Sequence, residues 1–442
     1  MVVLEASCRL GGWVSTTRHQ DGVLYEHGPR TVRPVGQQGA NTLALVQELG
    51  LAELVRPVLR SAPSAQTRLV LADGALHKLP SSLLSVFHTL PPFSRPLALA
   101  AVRDLLTTKL TSEDESLHSF ISRRLGPDIA QYAVGPLVRG ICAGDSKQIS
   151  VHFIASYLHS LEQRSGRITL GAARDWMWPA AGPPPSPEEQ EELVRRARGE
   201  GWAVWGMAGG MERLVEGLAR SLGARGVEVR TGVEKLKLAR GQGKQVVVET
   251  EGETLVCDKV ILTPPSFVSA SLLEPLSSSL ATILSSIPFV DVAVTNLEYT
   301  GKDVQGGQGF GFLVPSSEPE PILGCIYDTC TFPQGERTVL TVMAGGAWYD
   351  QFLAGKDEAE AGEQARQTVS RILGITASPV RSATHLLPRC IAQYTVGHRA
   401  RLRTARRQLE QLGLGLRLAG SSYDGVGVND TIVSAKTAAL DL

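Results

Sequence analysis

Glu5 closes the apolar triplet Val2-Val-Leu4, Arg68 stands at the base of a short alternating run around Asp73-Gly74, and Gly425-Val-Gly427 precedes the last apolar stretch of the chain. Chemistry can be read into each of these three places. A carboxylate at the end of a short apolar strand is the group by which a dinucleotide fold holds a pair of ribose hydroxyls. Glycines that open a helix leave backbone N–H groups facing outward, where they favour an anion or a partly negative ring edge. An arginine presents a forked cation that matches a carboxylate in bidentate fashion. Each also has a plain alternative: a strand-end glutamate, a loop-to-helix turn, and a surface arginine. No nucleophilic triad suggests itself. The six cysteines, Cys8, Cys142, Cys257, Cys325, Cys330 and Cys390, form no C-x-x-C pair and no His/Cys spacing of the kind zinc needs. A reduced compartment and no metal are expected.

The elements that must position these groups belong to a large globular chain. Its 442 residues exceed what one core usually holds, and 43% apolar against 20% charged residues excludes general disorder. The 44 basic and 44 acidic residues cancel, so nothing points to a nucleic-acid partner. No run of about eighteen uninterrupted apolar residues is present, so no spanning helix is expected. A signal peptide is also not visible.

Along the chain, Asp21-Gly22 marks the turn of a hairpin that ends at Gly28-Pro29. A helix is expected from Asn41 to Leu51, and a second hairpin from Arg68 to Leu79. The stretch Pro80 to Leu110 holds Leu83, Leu84, Val86, Phe87, Leu90 and Phe93 between prolines, and reads either as a pair of core helices or as an interfacial membrane patch. Residues 111 to 170 read as mainly helical, and Pro179 to Glu188 as an exposed loop. From Gly209-Gly210 a helix leads into Gly226-Val-Glu-Val229 and Val233-Glu-Lys-Leu236, both read as strand, then a meander and a buried strand stopped by Pro264-Pro265. Alternating runs such as Val290 to Asn296, Gly311 to Val314 and Val339 to Met343 suggest an antiparallel sheet. The last helix is expected from about Thr431 to Leu440, capped by Asn429-Asp430. A dinucleotide fold would place a first strand, a G-x-G-x-x-G turn and a helix about twenty residues before Glu5; the chain begins on what reads as the second strand, so this first βα unit is expected to be missing.

The pieces Glu5-Ala-Ser, Leu10-Gly-Gly-Trp13, Gly28-Pro-Arg30, Gly209-Gly-Met-Glu212, Ile261-Leu-Thr-Pro-Pro265 and Leu418-Ala-Gly-Ser-Ser422, in this order, resemble the flavin amine oxidase superfamily. Within it, Leu137-Val-Arg-Gly-Ile-Cys-Ala-Gly-Asp145, Gly309-Phe-Gly-Phe-Leu-Val-Pro-Ser-Ser317 and Pro388 to His398 are similar to the vertebrate protoporphyrinogen oxidase family, over the whole chain. The resemblance implies an α/β protein with a discontinuous Rossmann-like FAD-binding domain over 1–62, 202–265 and 400–442. It further implies an antiparallel substrate-binding domain over 63–80 and 266–399, and a helical, membrane-associating subdomain over 81–201. The implied activity is oxidation of protoporphyrinogen IX to protoporphyrin IX by FAD and dioxygen in heme biosynthesis, with hydrogen peroxide released. Such a hydride transfer needs no nucleophilic side chain.

Carried over by the resemblance, Arg68 holds a substrate propionate, while Leu137, Gly140, Phe310, Gly311, Leu313, Met343 and Ile391 line the slot. The apolar members of that set read equally well as ordinary core. For the cofactor the resemblance implies Glu5, Trp13, Gly28, Pro29, Arg30, Thr31, Val233, Val426, Gly427 and Val428. No cysteine follows Cys390, which argues against a cysteinyl bond, so FAD is expected to be non-covalent. A homodimer, peripheral attachment to the mitochondrial inner membrane on its intermembrane-space side, and transfer of product to a ferrochelatase are implied in the same way. Two other readings stay open here: a catalytically inactive short isoform that cannot hold FAD, and an amine oxidase-like flavoprotein, whose cationic substrate would suit Arg68 poorly.

Overall fold

The computed structural model describes the chain except for residues 81–83, 179–185 and 442. Chain contacts divide it into two compact units, Met1–Leu59 with Pro185–Pro288 and His398–Leu442, and Arg60–Pro184 with Phe289–Gly397. Leu83 and most of the expected loop after Pro179 lie outside the described residues.

In the first unit, strand Val2–Leu4 runs parallel to Glu228–Arg230, and Val260–Leu262 runs parallel to Leu416–Leu418. Parallel pairs need crossover connections, which is why partners so far apart in sequence meet. Helix Gly36–Glu48 buries Ala40, Leu43 and Val46 against Trp202, Trp205 and Leu214. The hairpin Thr16–Arg18 with Leu24–Glu26 turns at Asp21-Gly22, as its turn chemistry demands. Two expectations are corrected. Val233 to Leu236 is not a strand: the Gly232 and Val233 N–H groups bond the Ser7 and Glu5 carbonyls, and pairing resumes only in Leu236–Arg240. The last helix begins at Val428, so Asn429 and Asp430 stand inside its first turn rather than before it. From there the Asp430 carboxylate accepts the Gly427 N–H at 3.3 Å.

The second unit is built on a seven-stranded mixed sheet. Its strands are β1 (Leu69–Ala72), β2 (Ala75–Lys78), β3 (Phe289–Thr300), β4 (Gly311–Leu313), β5 (Gly324–Tyr327), β6 (Arg337–Gly345) and β7 (Arg381–Ala392). They lie in the order β7-β3-β6-β5-β4-β1-β2, and only β4 and β1 are parallel. Helix Glu358–Leu373 covers one face, packing Ala361, Ala365 and Val369 onto Leu297, Tyr299, Leu340 and Val342. Alternation sends Val292, Val294 and Met343 to the other face.

A helical layer completes this unit. Arg124, on helix Leu117–Arg124, is fully buried and ion-paired with Asp104 and Glu162, themselves fully buried. The Pro80 to Leu110 stretch is not a pair of core helices. Its described part holds one short turn, Ser85–Phe87, and one helix, Leu99–Leu106, in which Asp104 alone is buried. Phe93 is buried against Tyr132, whereas Phe87 and Leu106 are 66% and 79% exposed.

Candidate active site

Strand register aligns Val294, Met343, Gly324, Leu313 and Val70 as one rung across β3, β6, β5, β4 and β1. Directly opposed residues in a sheet point to the same face, so Met343 and Leu313 rise on either side of a glycine. Gly324 is buried, and a Cβ there would stand 2.5 Å from the Phe312 carbonyl oxygen and 3.1 Å from Leu313 Cδ2, so the missing side chain leaves room for Leu313 to lean over the strand. Ile391 on β7 packs with Met343, Val290 and Leu387 in the cluster that covers this face. Leu313 is met by Gly140 of helix Gly135–Cys142; a Cβ at Gly140 would stand 2.7 Å from Leu313 Cδ2. Leu137, one turn earlier on that helix, is half-buried.

That helix is tied down at its C-terminal end. Arg139 is 3% exposed, donates from Nη2 to the Ile322 carbonyl at 3.3 Å, and lays its guanidinium 4.1 Å over the Trp348 ring. Burial pushes its pKa down to about 10, with Asp145 acting in the opposite sense, so it stays a cation at neutral pH. Gln393 Nε2 donates to the Cys142 carbonyl at 2.8 Å.

Arg68 immediately precedes β1, where its carbonyl accepts the Leu79 N–H at 2.9 Å. Alternation from Val70 assigns Arg68 to the face of Leu313, at the end of the strand, and its side chain is exposed. Gly311 is buried in β4, and Phe310 falls just before that strand, with its N–H on the Thr67 carbonyl and its carbonyl taking the Tyr327 N–H. Leu313, Gly140, Met343 and Ile391 therefore bound one apolar surface. Phe310 is half-buried at the Thr67 end, outside the rung.

The other expected residues lie in the first unit. The Glu5 N–H bonds the Arg230 carbonyl and the Glu5 carbonyl accepts from Val233, while the Glu5 carboxylate takes the Ser7 N–H and hydroxyl, each at 2.8 Å. Beside them Leu4, Val233, Lys235, Thr250 and Gly252 line a cleft of about 350 Å³. Gly28 passes so near Trp13 that a Cβ would stand 1.9 Å from the Trp13 carbonyl oxygen, so only glycine fits. Beyond Pro29, Arg30 and Thr31, the chain is fixed by Val32, whose N–H and carbonyl both pair with Trp205. Asn429 Nδ2 then donates to the Arg33 carbonyl at 2.9 Å, which joins the Val426, Gly427 and Val428 turn to the Gly28 to Thr31 stretch.

Residues 1–442 match the family described as flavin containing amine oxidoreductase. A protoporphyrinogen oxidase of Bos taurus is 40% identical over 446 residues, spanning 99% of this chain and 92% of that protein. The chain belongs to the flavin-containing amine oxidoreductases, and within them to the protoporphyrinogen oxidase group. A solved structure from Exiguobacterium sp. 255-15 superposes with a TM-score of 0.80 at 24% identity, covering 99% of this chain and 91% of that one. Cyclohexylamine oxidase from Brevibacterium oxydans IH-35A gives 0.66 at 14% identity, over 100% and 93%. The α/β fold with its mixed sheet is thus that of the flavin amine oxidoreductases.

A flavin dinucleotide is compatible with what the first unit offers. Leu4, next to Glu5 in sequence, and Val233, whose N–H bonds the Glu5 carbonyl, line the open cleft, and Gly28 lets the Trp13 carbonyl pack directly on its backbone. The Val428–Leu440 helix turns its first N–H groups outward beside that stretch. Arg139 with Trp348, and the close approach of Leu313 to Gly324, escaped sequence reasoning. A lone glycine in an apolar strand is a weak signal of close approach, but nothing local links Arg139 to Trp348.

Proposed function

We propose that the chain oxidises protoporphyrinogen IX to protoporphyrin IX with non-covalent FAD and dioxygen. When bound, the flavin supplies the hydride acceptor for three two-electron oxidations and passes the electrons to dioxygen, which leaves as hydrogen peroxide. The observation that carries this reading is the apolar surface of Leu313, Met343 and Ile391, walled by Gly140 and Leu137, with Arg68 on the same face at its edge. A flat, uncharged ring system with carboxylate arms suits it: the ring buries against aliphatic groups and excludes water, and Arg68 pairs with a propionate. Phe310 and Gly311 complete the Arg68 end. A primary-amine substrate would gain nothing from that cation.

For the cofactor, the reading gives Glu5 the ribose hydroxyls, Val233 the adenine end, and Trp13 with Gly28 to Thr31 the ring side. Val426 to Val428 face the ring edge, where helix N–H groups favour the reduced, more negative state. Peripheral membrane attachment is proposed on the exposed Phe87, Leu99, Val102, Leu106, Trp176 and Trp178. Among the described residues no helix is long and apolar enough to cross a membrane. A homodimer, the mitochondrial inner membrane as location and a ferrochelatase as recipient rest on the resemblance alone.

The test is porphyrin fluorescence on mixing the flavin-loaded protein with protoporphyrinogen, with about three peroxide molecules released per porphyrin. No fluorescence, or faster oxidation of putrescine or cyclohexylamine, overturns the assignment.

A further inference from the structure

We propose that the cleft holding Arg95 and Arg103 takes the phosphate of an anionic phospholipid headgroup. The proposal rests on the peripheral attachment described above and names the lipid chemistry of that contact. The cleft has a volume of about 280 Å³ and lies between the segments 94–103 and 125–129. Its charged side chains are Arg95, Arg103 and Asp128. Asp128 Oδ2 accepts both the Ser94 N–H and the Ser94 hydroxyl at 2.6 Å, so the acid is engaged in holding the two walls together. Arg103 spends its Nε on the Arg123 carbonyl at 3.1 Å, which fixes the side chain while its two terminal nitrogens carry no protein bond among the described residues. Arg95 is exposed and has no protein partner among them.

The surroundings decide what kind of anion this is. Leu99, Val102 and Leu106 on helix Leu99–Leu106 are 48%, 51% and 79% exposed, so the cationic cleft is flanked by uncovered aliphatic groups. Helix Ile168–Met177 packs on that helix through Thr169, which binds Asp104, and ends in the exposed Trp176, Met177 and Trp178. Between Leu84 and Leu110 the one acidic residue is Asp104, buried and paired with Arg124, so every exposed formal charge there is positive: Arg95, Arg103 and Lys109. A soluble phosphometabolite gains nothing from exposed leucines and tryptophans. An anionic bilayer satisfies both: acyl chains meet the aliphatic groups, aromatic rings sit at headgroup level, and phosphate meets paired guanidinium forks.

Flotation of the flavin-loaded full chain with phosphatidylcholine vesicles, and with the same vesicles containing cardiolipin or phosphatidylglycerol, tests this. Wild type binds the anionic vesicles more tightly. Arg95→Ala with Arg103→Ala loses most of that preference, about five-fold or more per residue, while its binding to neutral vesicles and its activity in detergent stay unchanged. The double lysine variant recovers part, since it keeps charge without the fork. An alanine variant that keeps the full anionic preference overturns the proposal, as does inorganic phosphate that abolishes the preference at millimolar concentration, which would mark a free-anion site. If wild type binds neither vesicle type, the attachment reading itself has failed.

Discussion

Gly140 lies so close to Leu313 that a methyl group on its Cα would stand 2.7 Å from Leu313 Cδ2. Helix Gly135–Cys142 and β4 are in contact at the point where both bound the proposed ring slot. Gly140→Ala forces Leu313 out of its rotamer, at a cost of about 1 to 3 kcal/mol in stability, and moves the Leu313 side chain relative to Met343. The expected result is a raised KM in porphyrin fluorescence kinetics with unchanged flavin content. In a double-mutant cycle with Leu313→Ala, Gly140→Ala lowers the melting temperature less in the Leu313→Ala background than in wild type. A single variant with wild-type KM and melting temperature would show that the contact has no bearing on the slot.

In the proposed reading Arg68 carries the polar half of substrate recognition. Its side chain is exposed at the strand end, where an ion pair is worth about 1 kcal/mol or less, and a bound ring that shields the pair from water raises this to about 1.5 to 3 kcal/mol. Arg68→Ala should raise KM for protoporphyrinogen by one to two orders of magnitude and leave bound flavin unaltered, and Arg68→Lys should recover only part. Unchanged KM in the alanine variant removes Arg68 from the site.

How much of this could be read from residues alone follows from how local each signal is. Asp21-Gly22 and Asp73-Gly74 fix their hairpins because a tight turn is encoded in two or three adjacent residues. The β3 and β6 strands are legible from their apolar runs, but the shared face of Leu313 and Met343, which stand on non-adjacent strands, is not. That Gly324 separates those two side chains is a matter of register between distant strands, which no local pattern states. Val233 misled because a strand-like run lost its N–H groups to the Glu5 and Ser7 loop. The Pro80 to Leu110 stretch left two readings open for another reason: apolar composition is the same whether a side chain is buried like Phe93 or uncovered like Phe87.

That contrast makes a membrane prediction. Phe87→Ser, Val102→Ser and Leu106→Ser remove exposed groups and should release the protein from phosphatidylcholine vesicles with little change in melting temperature. Phe93→Ser should instead destabilise by about 3 kcal/mol, as for a buried aromatic cut to a small side chain. If the triple variant unfolds, those residues are core in solution and the attachment surface lies elsewhere.

Arg124 and Glu162 set the stability of the helical layer. Arg124 Nε donates to Glu162 Oε1 at 3.0 Å, with both side chains fully buried. Burial opposes the charge on Glu162, but hydrogen bonds from Arg123 and Arg124 outweigh it and hold the carboxyl below its ordinary range. Glu162→Gln removes the charge that Arg123 and Arg124 share but leaves Glu115 on the first and Asp104 on the second, and should destabilise by about 1 to 3 kcal/mol. Chemical denaturation measures this, and a loss under about 1 kcal/mol would mean that water replaces the carboxylate.

His398 contributes to the pH dependence of the first unit's stability. It is 3% exposed, its Nε2 stands 3.0 Å from the Tyr423 carbonyl, and burial pushes its pKa from 6.5 down to about 4. The folded chain therefore keeps this imidazole neutral at pH values where the unfolded chain already protonates it. Stability from this group is complete above pH about 6.5, falls as pH drops toward about 4, and is level below that, with a total change of at most about 3 kcal/mol. Carboxylates titrate in the lower part of the same window, so the readout is the difference from His398→Gln, which keeps a donor for the Tyr423 carbonyl and does not titrate. Between pH 7 and 4 the melting temperature of wild type should fall more steeply than that of the variant. Parallel curves would show that His398 is protonated in the folded protein as easily as in the unfolded one.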